Sequence, residues 1–154
     1  MKPDITLRGV TAADLPRLYE HQSDPVSVRM AAFPPRDQEE FTAHWAKILV
    51  DPSVITRAIL FEGEVTGYVV IFGPAEERLV GYWIGREFWG KGLATRALAA
   101  VLHEISERPL FARVAKHNVG SVRVLEKCGF TVAGEDKVAF GDDGEIVEDW
   151  IMKL

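Results

Sequence analysis

Apolar positions change period several times along this 154-residue chain, and each change marks an element. Ile5 to Val10 alternates, as a half-buried strand does. Thr11-Ala12-Ala13-Asp14 has the spacing of a capping box with Thr11 as N-cap, and opens a helix running to about Ser23. Asp24 to Arg36 contains Pro25, Pro34 and Pro35, and reads as a loop with at most a turn of helix. Phe41, Trp45, Ile48 and Leu49 share one face of a second helix, Asp37 to Val50. Strand-like stretches return in Val54–Phe61 and Val65–Phe72, a hairpin turning at Glu62-Gly63-Glu64. Leu79 to Gly85 is the next strand, and a helix beginning at Leu93 runs to about Arg108, where Pro109 stops it. Leu110–Ala115 is a short strand, and Asn118–Cys128 a helix closed by Gly129. Phe130–Phe140 and Ile146–Leu154 form a last hairpin around Gly141-Asp142-Asp143-Gly144.

The order β-α-α-β-β-β-α-β-α-β-β predicts a mixed α/β sheet with one central strand–helix–strand unit, not a doubly wound fold. No repeat, linker or low-complexity segment interrupts it, so residues 1–154 read as a single domain.

With 47% hydrophobic and 27% charged residues the composition is that of a soluble globular protein. No apolar stretch approaches the roughly 20 residues that span a bilayer, and Met1-Lys2-Pro3-Asp4 lacks the apolar core of a signal peptide. The expectation is a cytoplasmic protein with no membrane partner. A single cysteine, Cys128, excludes an internal disulfide and a Cys-x-x-Cys metal cluster. The net charge of −5 argues against nucleic acid as a partner. That charge is uneven: residues 86–127 hold eight Lys/Arg against four Asp/Glu, and the remainder ten against nineteen. An anionic ligand would prefer the basic segment.

Within that segment lies Trp89-Gly90-Lys91-Gly92-Leu93-Ala94-Thr95, a glycine turn between a strand and a helix. Backbone N–H groups and the helix N-terminus make such a turn a phosphate site. Gly85 to Lys91 also fits G-x-x-x-x-G-K, but Gly92 stands where a nucleotide triphosphate site needs a Ser or Thr for magnesium. The dinucleotide fingerprint fits worse, since Thr95 replaces its third glycine.

Two motifs carry a resemblance. The turn fits the Arg/Gln-x-x-Gly-x-Gly/Ala signature from its first glycine onward, with Trp89 departing at the first residue. Asn118-Val119-Gly120-Ser121, followed by Leu125 to Phe130, fits a second signature at the required spacing. The chain thus resembles the GCN5-related N-acetyltransferases (GNATs), nearest to the ribosomal-protein-alanine acetyltransferase (RimJ/RimL-like) branch. That resemblance implies a mostly antiparallel seven-stranded α/β (α+β) sheet, splayed at strands four and five and flanked by four helices. It implies acetyl-CoA as donor, transfer to a primary amine in a ternary complex, and no metal. Trp89, Gly90, Lys91, Gly92, Leu93, Ala94 and Thr95 would then hold the CoA pyrophosphate. Tyr82, Trp83 and Ile84 would pair with pantetheine, and Asn118 and Ser121 would border the donor.

The Glu and Tyr that many members use for proton transfer map to Arg113 and Leu125, so neither is present. The resemblance assigns Ser121 as partner of the thiolate. His117, beside Asn118, is the imidazole candidate for a base, and a water chain between carboxylates is an alternative. Cys128 reads as a small buried thiol. Acceptor recognition would fall to Tyr19–Phe41 and Phe140–Glu148. The acidic Glu20, Asp24, Asp37, Glu39 and Glu40 suit either an amine or a solvated helix face. A non-catalytic acyl-CoA-binding protein on the same scaffold is the competing reading. Homodimerisation is compatible with the fold.

Overall fold

Two clusters of apolar side chains, one on each face of a single sheet, organise the chain. The computed structural model describes residues 4–140 and 144–154. The turn residues Gly141, Asp142 and Asp143, and the terminal Met1 to Pro3, lie outside the described residues. The strands are β1 (Ile5–Arg8), β2 (Ile55–Phe61), β3 (Glu64–Phe72), β4 (Arg78–Ile84), β5 (Leu110–Ala115), β6 (Thr131–Phe140) and β7 (Glu145–Lys153). They lie in the order β1-β2-β3-β4-β5-β7-β6. Every neighbouring pair is antiparallel except β4 and β5. The helices are α1 (Leu15–Gln22), α2 (Pro25–Ala31), α3 (Gln38–Leu49), α4 (Leu93–Glu104) and α5 (Val119–Lys127).

Strand alternation sends neighbouring residues to opposite faces. Ile59, Val69 and Val80 join Leu98 and Val101 of α4 and Leu125 of α5 in one cluster. Ala58, Tyr68 and Trp83 join Leu18 of α1 with Phe41 and Trp45 of α3 in the other. Phe41 and Trp45 are four residues apart, on one helical face, and Trp45 meets the Tyr68 ring edge-on at 4.9 Å. Truncating a buried tryptophan of this kind costs about 3–5 kcal/mol.

Two segments differ from the sequence reading. Asp24–Arg36 contains the helix α2 rather than at most a single turn, which brings the helices to five. Asp24 caps it by accepting from the Ser27 N–H at 3.0 Å. Pro25 occupies the first helical position, where a missing N–H costs nothing. The fourth helix stops at Glu104 and not near Arg108, because Ile105 is already extended. The Arg108 guanidinium instead bonds the carbonyls of Leu102, Ile105 and Glu107. The α5 terminus is as read: Phe130 N–H reaches Leu125 C=O and Gly129 N–H reaches Glu126 C=O, both at 3.0 Å.

Candidate active site

The site begins where β4 and β5 part. They pair only at Arg78–Leu110 and Leu79–Phe111, and beyond that the ladder ends. A cleft of about 590 Å³ opens beside the end of β4, bordered by α2, the start of α4 and α5. Its floor strand alternates as the sequence reading allowed. Trp83 turns to the α1/α3 cluster, where its indole donates to the His21 carbonyl at 3.2 Å. Tyr82 turns the other way, to α5, where its hydroxyl meets Ser121.

The glycine turn follows β4 directly. Gly90 and Gly92 have φ of +78° and +76°, the left-handed region that glycine enters without strain. Gly92 caps α4, its carbonyl accepting from the Arg96 N–H at 3.2 Å. The first-turn amides of a helix have no internal acceptor, so those of Leu93, Ala94 and Thr95 offer donors to an anion. The Trp89 indole donates back to the Ile84 carbonyl at 2.9 Å and ties the turn to its strand.

Below the turn, Gly85 packs against the His21 ring. A Cβ at residue 85 would stand 2.7 Å from two ring atoms. His21 is buried, and neither ring nitrogen has a hydrogen-bond partner among the described residues. Glu87 Oε1 is 3.8 Å from Nε2, too far to bond it. Burial first, and the Arg17 charge second, hold the ring below its ordinary pKa.

Trp83, Ile84, Trp89, Gly90, Gly92, Leu93, Ala94, Thr95, Asn118, Ser121, Tyr82 and His117 all border the cleft. Lys91 does not line it and is exposed on the turn. Asn118 caps α5, its Oδ1 accepting from the Ser121 N–H at 3.3 Å. Cys128 bonds the Thr95 carbonyl at 3.7 Å, and burial pushes its thiol up, so it has no nucleophile's character. The sequence reading missed Arg123 and Lys127. They stand four apart on the face of α5 that lines the cleft, so their charges sit near the glycine turn. It also missed Ser27, Met30 and Ala31, which α2 brings to the cleft wall.

A second cavity of about 980 Å³ adjoins the first. Pro25, Val26, Arg29 and Met30 of α2 form one side of it, and Glu145 to Glu148 of β7 another. Met30 and His117 border both cavities, so they mark the junction. His117 Nε2 lies 3.0 Å from the Arg29 carbonyl. Only an N–H can meet a carbonyl, so the neutral ring carries its lone pair on Nδ1. The carboxylates proposed for an amine are partly committed elsewhere. Asp24 caps α2 and pairs with Arg86 at 3.1 Å, and Asp37 and Glu40 form the capping box of α3. Arg113 meets Asp136 at 2.7 Å on the exposed side of β5, and Leu125 is fully buried. Neither position supplies a base or an acid. Among the described residues no cluster of His, Cys, Asp and Glu could hold a metal, and no helix is long and apolar enough to cross a membrane.

Two parallel strands that diverge onto a glycine turn and a helix N-terminus make a cleft with backbone donors suited to an anionic ligand. The chain belongs to the acetyltransferase (GNAT) domain family, whose model matches residues 4–131. It is 36% identical over 76 residues to "Probable N-acetyltransferase YjcK" of Bacillus subtilis (strain 168), which covers 47% of this chain and 42% of that protein. The chain spans about half the length of the curated relatives it matches. In fold it is similar to the spermidine N-acetyltransferase of Vibrio cholerae, solved with CoA and spermine. That match has a TM-score of 0.85 and 19% identity, covering 97% of this chain and 94% of the other. A GNAT-family acetyltransferase of Bacillus anthracis matches with a TM-score of 0.81 and 18% identity, covering 100% and 96%.

Proposed function

We propose that this chain transfers an acetyl group from acetyl-CoA to a primary amine by direct attack in a ternary complex. The observation that carries the reading is the splay of β4 from β5 onto the N-terminus of α4. The pyrophosphate would rest on the amides of Gly90 to Thr95, with Arg123 and Lys127 near its charge. The pantetheine amides would pair with the β4 backbone at Tyr82 to Ile84, which has no partner strand on that side among the described residues. Amides of the same segment would face the oxyanion that develops on the thioester carbonyl. Ser121 would meet the leaving sulfur.

The amine would enter from the second cavity and reach the thioester at Met30 and His117. An ammonium near pKa ~10 is mostly charged at neutral pH and must lose a proton before it attacks. His117 Nδ1, at the junction, is the acceptor this geometry favours. Arg29, Lys116 and Lys137 stand among the walls of that cavity beside Glu145 and Glu148. Three cations against two carboxylates, with Val26, Ile146 and Val147 between, suit one amine on a partly apolar body, such as a peptide N-terminus. They suit a polycation less.

The absence of proton-transfer groups at Arg113 and Leu125 favours one competing reading, a non-catalytic acyl-CoA-binding protein. Steady-state release of CoA across a panel of peptide, small-molecule and polyamine acceptors separates the two. Transfer predicts amine-dependent release, and tight acetyl-CoA binding without it would leave the binding protein.

A further inference from the structure

Resting on the acyl-CoA reading above, we propose that Tyr82 is a positioning residue. It turns the Ser121 hydroxyl toward the leaving sulfur and so takes the place of the acid that α5 lacks. The Tyr82 Oη lies 2.5 Å from Ser121 Oγ and 3.2 Å from the Ser121 carbonyl, and both residues border the cleft. The phenol has one hydrogen for these two acceptors, which leaves two arrangements. In the first, Tyr82 donates to the carbonyl and Ser121 donates to Tyr82. In the second, Tyr82 donates to Ser121 Oγ and frees the serine hydrogen to point into the cleft.

Charge on sulfur selects the second arrangement. As the amine nitrogen bonds the thioester carbon, the C–S bond breaks and its electron pair passes to sulfur. The thiolate draws the Ser121 hydrogen as a hydrogen bond, and the Tyr82 hydrogen swings from the carbonyl to Oγ. Neither hydroxyl loses its proton: the amine proton leaves to His117 or water, and water later protonates the sulfur. A hydroxyl that accepts one hydrogen bond donates a stronger one, so the two bonds reinforce each other. Burial pushes the Tyr82 pKa up to about 12, which keeps the phenol a donor at neutral pH. Leu125, the position one turn along α5 from Ser121, is buried in the core and offers no donor. The replacement therefore comes from β4, across the cleft.

The test reads the bound thiol directly and needs no acceptor. The full-length protein is saturated with free CoA, and the thiolate is titrated by its ultraviolet absorbance. The bound thiol should ionise about one pH unit lower in wild type than in Tyr82→Phe, a tenfold change in the ionisation constant. Ser121→Ala should raise it at least as far. The double variant should go no further than Ser121→Ala, because Tyr82 acts through the serine. Ser121→Thr, which keeps the hydroxyl, should retain the wild-type value. Equal titration in wild type and Tyr82→Phe, or independent shifts that add in the double variant, would overturn the proposal. If Tyr82→Phe fails to fold, an unshifted thiol in Ser121→Ala overturns it alone. A wild type that binds no CoA overturns both this proposal and the donor reading. A lowered thiol pKa without amine-dependent turnover overturns only the transferase.

Discussion

Tyr82 and Ser121 meet across the cleft at 2.5 Å, hydroxyl to hydroxyl, and join strand β4 to helix α5. Both residues line the cleft proposed to hold the donor, and β4 and β5 pair only at Arg78–Leu110 and Leu79–Phe111. Chemistry between donor and acceptor would therefore take place between this pair and His117, which stands where the two cavities join.

His117→Ala tests that placement. Loss of a general base lowers turnover by about 10²-fold. The expected result is a fall of that order in kcat, with acetyl-CoA affinity changed less than about threefold, since a missing imidazole removes no phosphate contact. Stopped-flow turnover together with direct acetyl-CoA titration measures both. Unchanged kcat would assign deprotonation of the amine to water or a carboxylate.

Asp14 should report on stability alone. It is buried, and Arg8 grips both its oxygens at 2.7 and 2.9 Å while the Thr11 N–H donates at 2.8 Å. These bonds, that from Arg8 first, hold its carboxyl below the usual carboxylate range. A lowered folded pKa stabilises the protein above the unfolded value of about 3.9, and the benefit is lost as pH falls through the folded value. Asp14→Ala should cost about 1–2 kcal/mol in urea unfolding at pH 7, since Arg8 is half exposed, with CoA binding intact. The gap between variant and wild type should narrow toward pH 2.

His21 should act in the same direction, but in a higher pH window. Burial and Arg17 depress the ring's pKa, and Glu87 and Glu20 only partly oppose them. The folded state thus keeps it neutral at a pH where the unfolded chain binds a proton. Stability falls as pH drops through the unfolded value of about 6.5, and falls further down to the folded one. Thermal melting between pH 7.5 and 5.5 should show wild type losing more than His21→Leu. Parallel losses in the two would mean that the ring is protonated in place.

The glycine turn and the second motif, the proposed donor side, were legible because their parts are local. Gly90 and Gly92 lie two residues apart, and their left-handed backbone needs glycine, so the turn and the cap of α4 could be read directly. Asn118 to Phe130 is equally continuous. The wall of the second cavity, the proposed acceptor side, was hidden by α2. Three prolines argued for a loop, yet Asp24 followed by Pro25 is a cap and a first-turn proline, a signal for a helix. The contacts that complete the site join distant residues: Tyr82 and Ser121 are 39 apart, and His117 and Arg29 are 88 apart. No periodicity records which side chain of β4 meets which turn of α5. Leu125 and Arg113 could be named from the sequence as lacking acid or base, but the Tyr82 hydroxyl that reaches Ser121 from β4 could not.

Calorimetric titration of acetyl-CoA into wild type and Gly92→Glu tests the central claim most directly. Gly92 has open space around a would-be Cβ, so the protein can hold the side chain, but φ of +76° strains it and its carboxylate would face the pyrophosphate. The wild type should bind acetyl-CoA and give no heat with Mg-ATP, and Gly92→Glu, folded by its melting curve, should lose at least about 100-fold in affinity. Equal acetyl-CoA affinity in the two proteins would contradict the assignment of the glycine turn as the donor site.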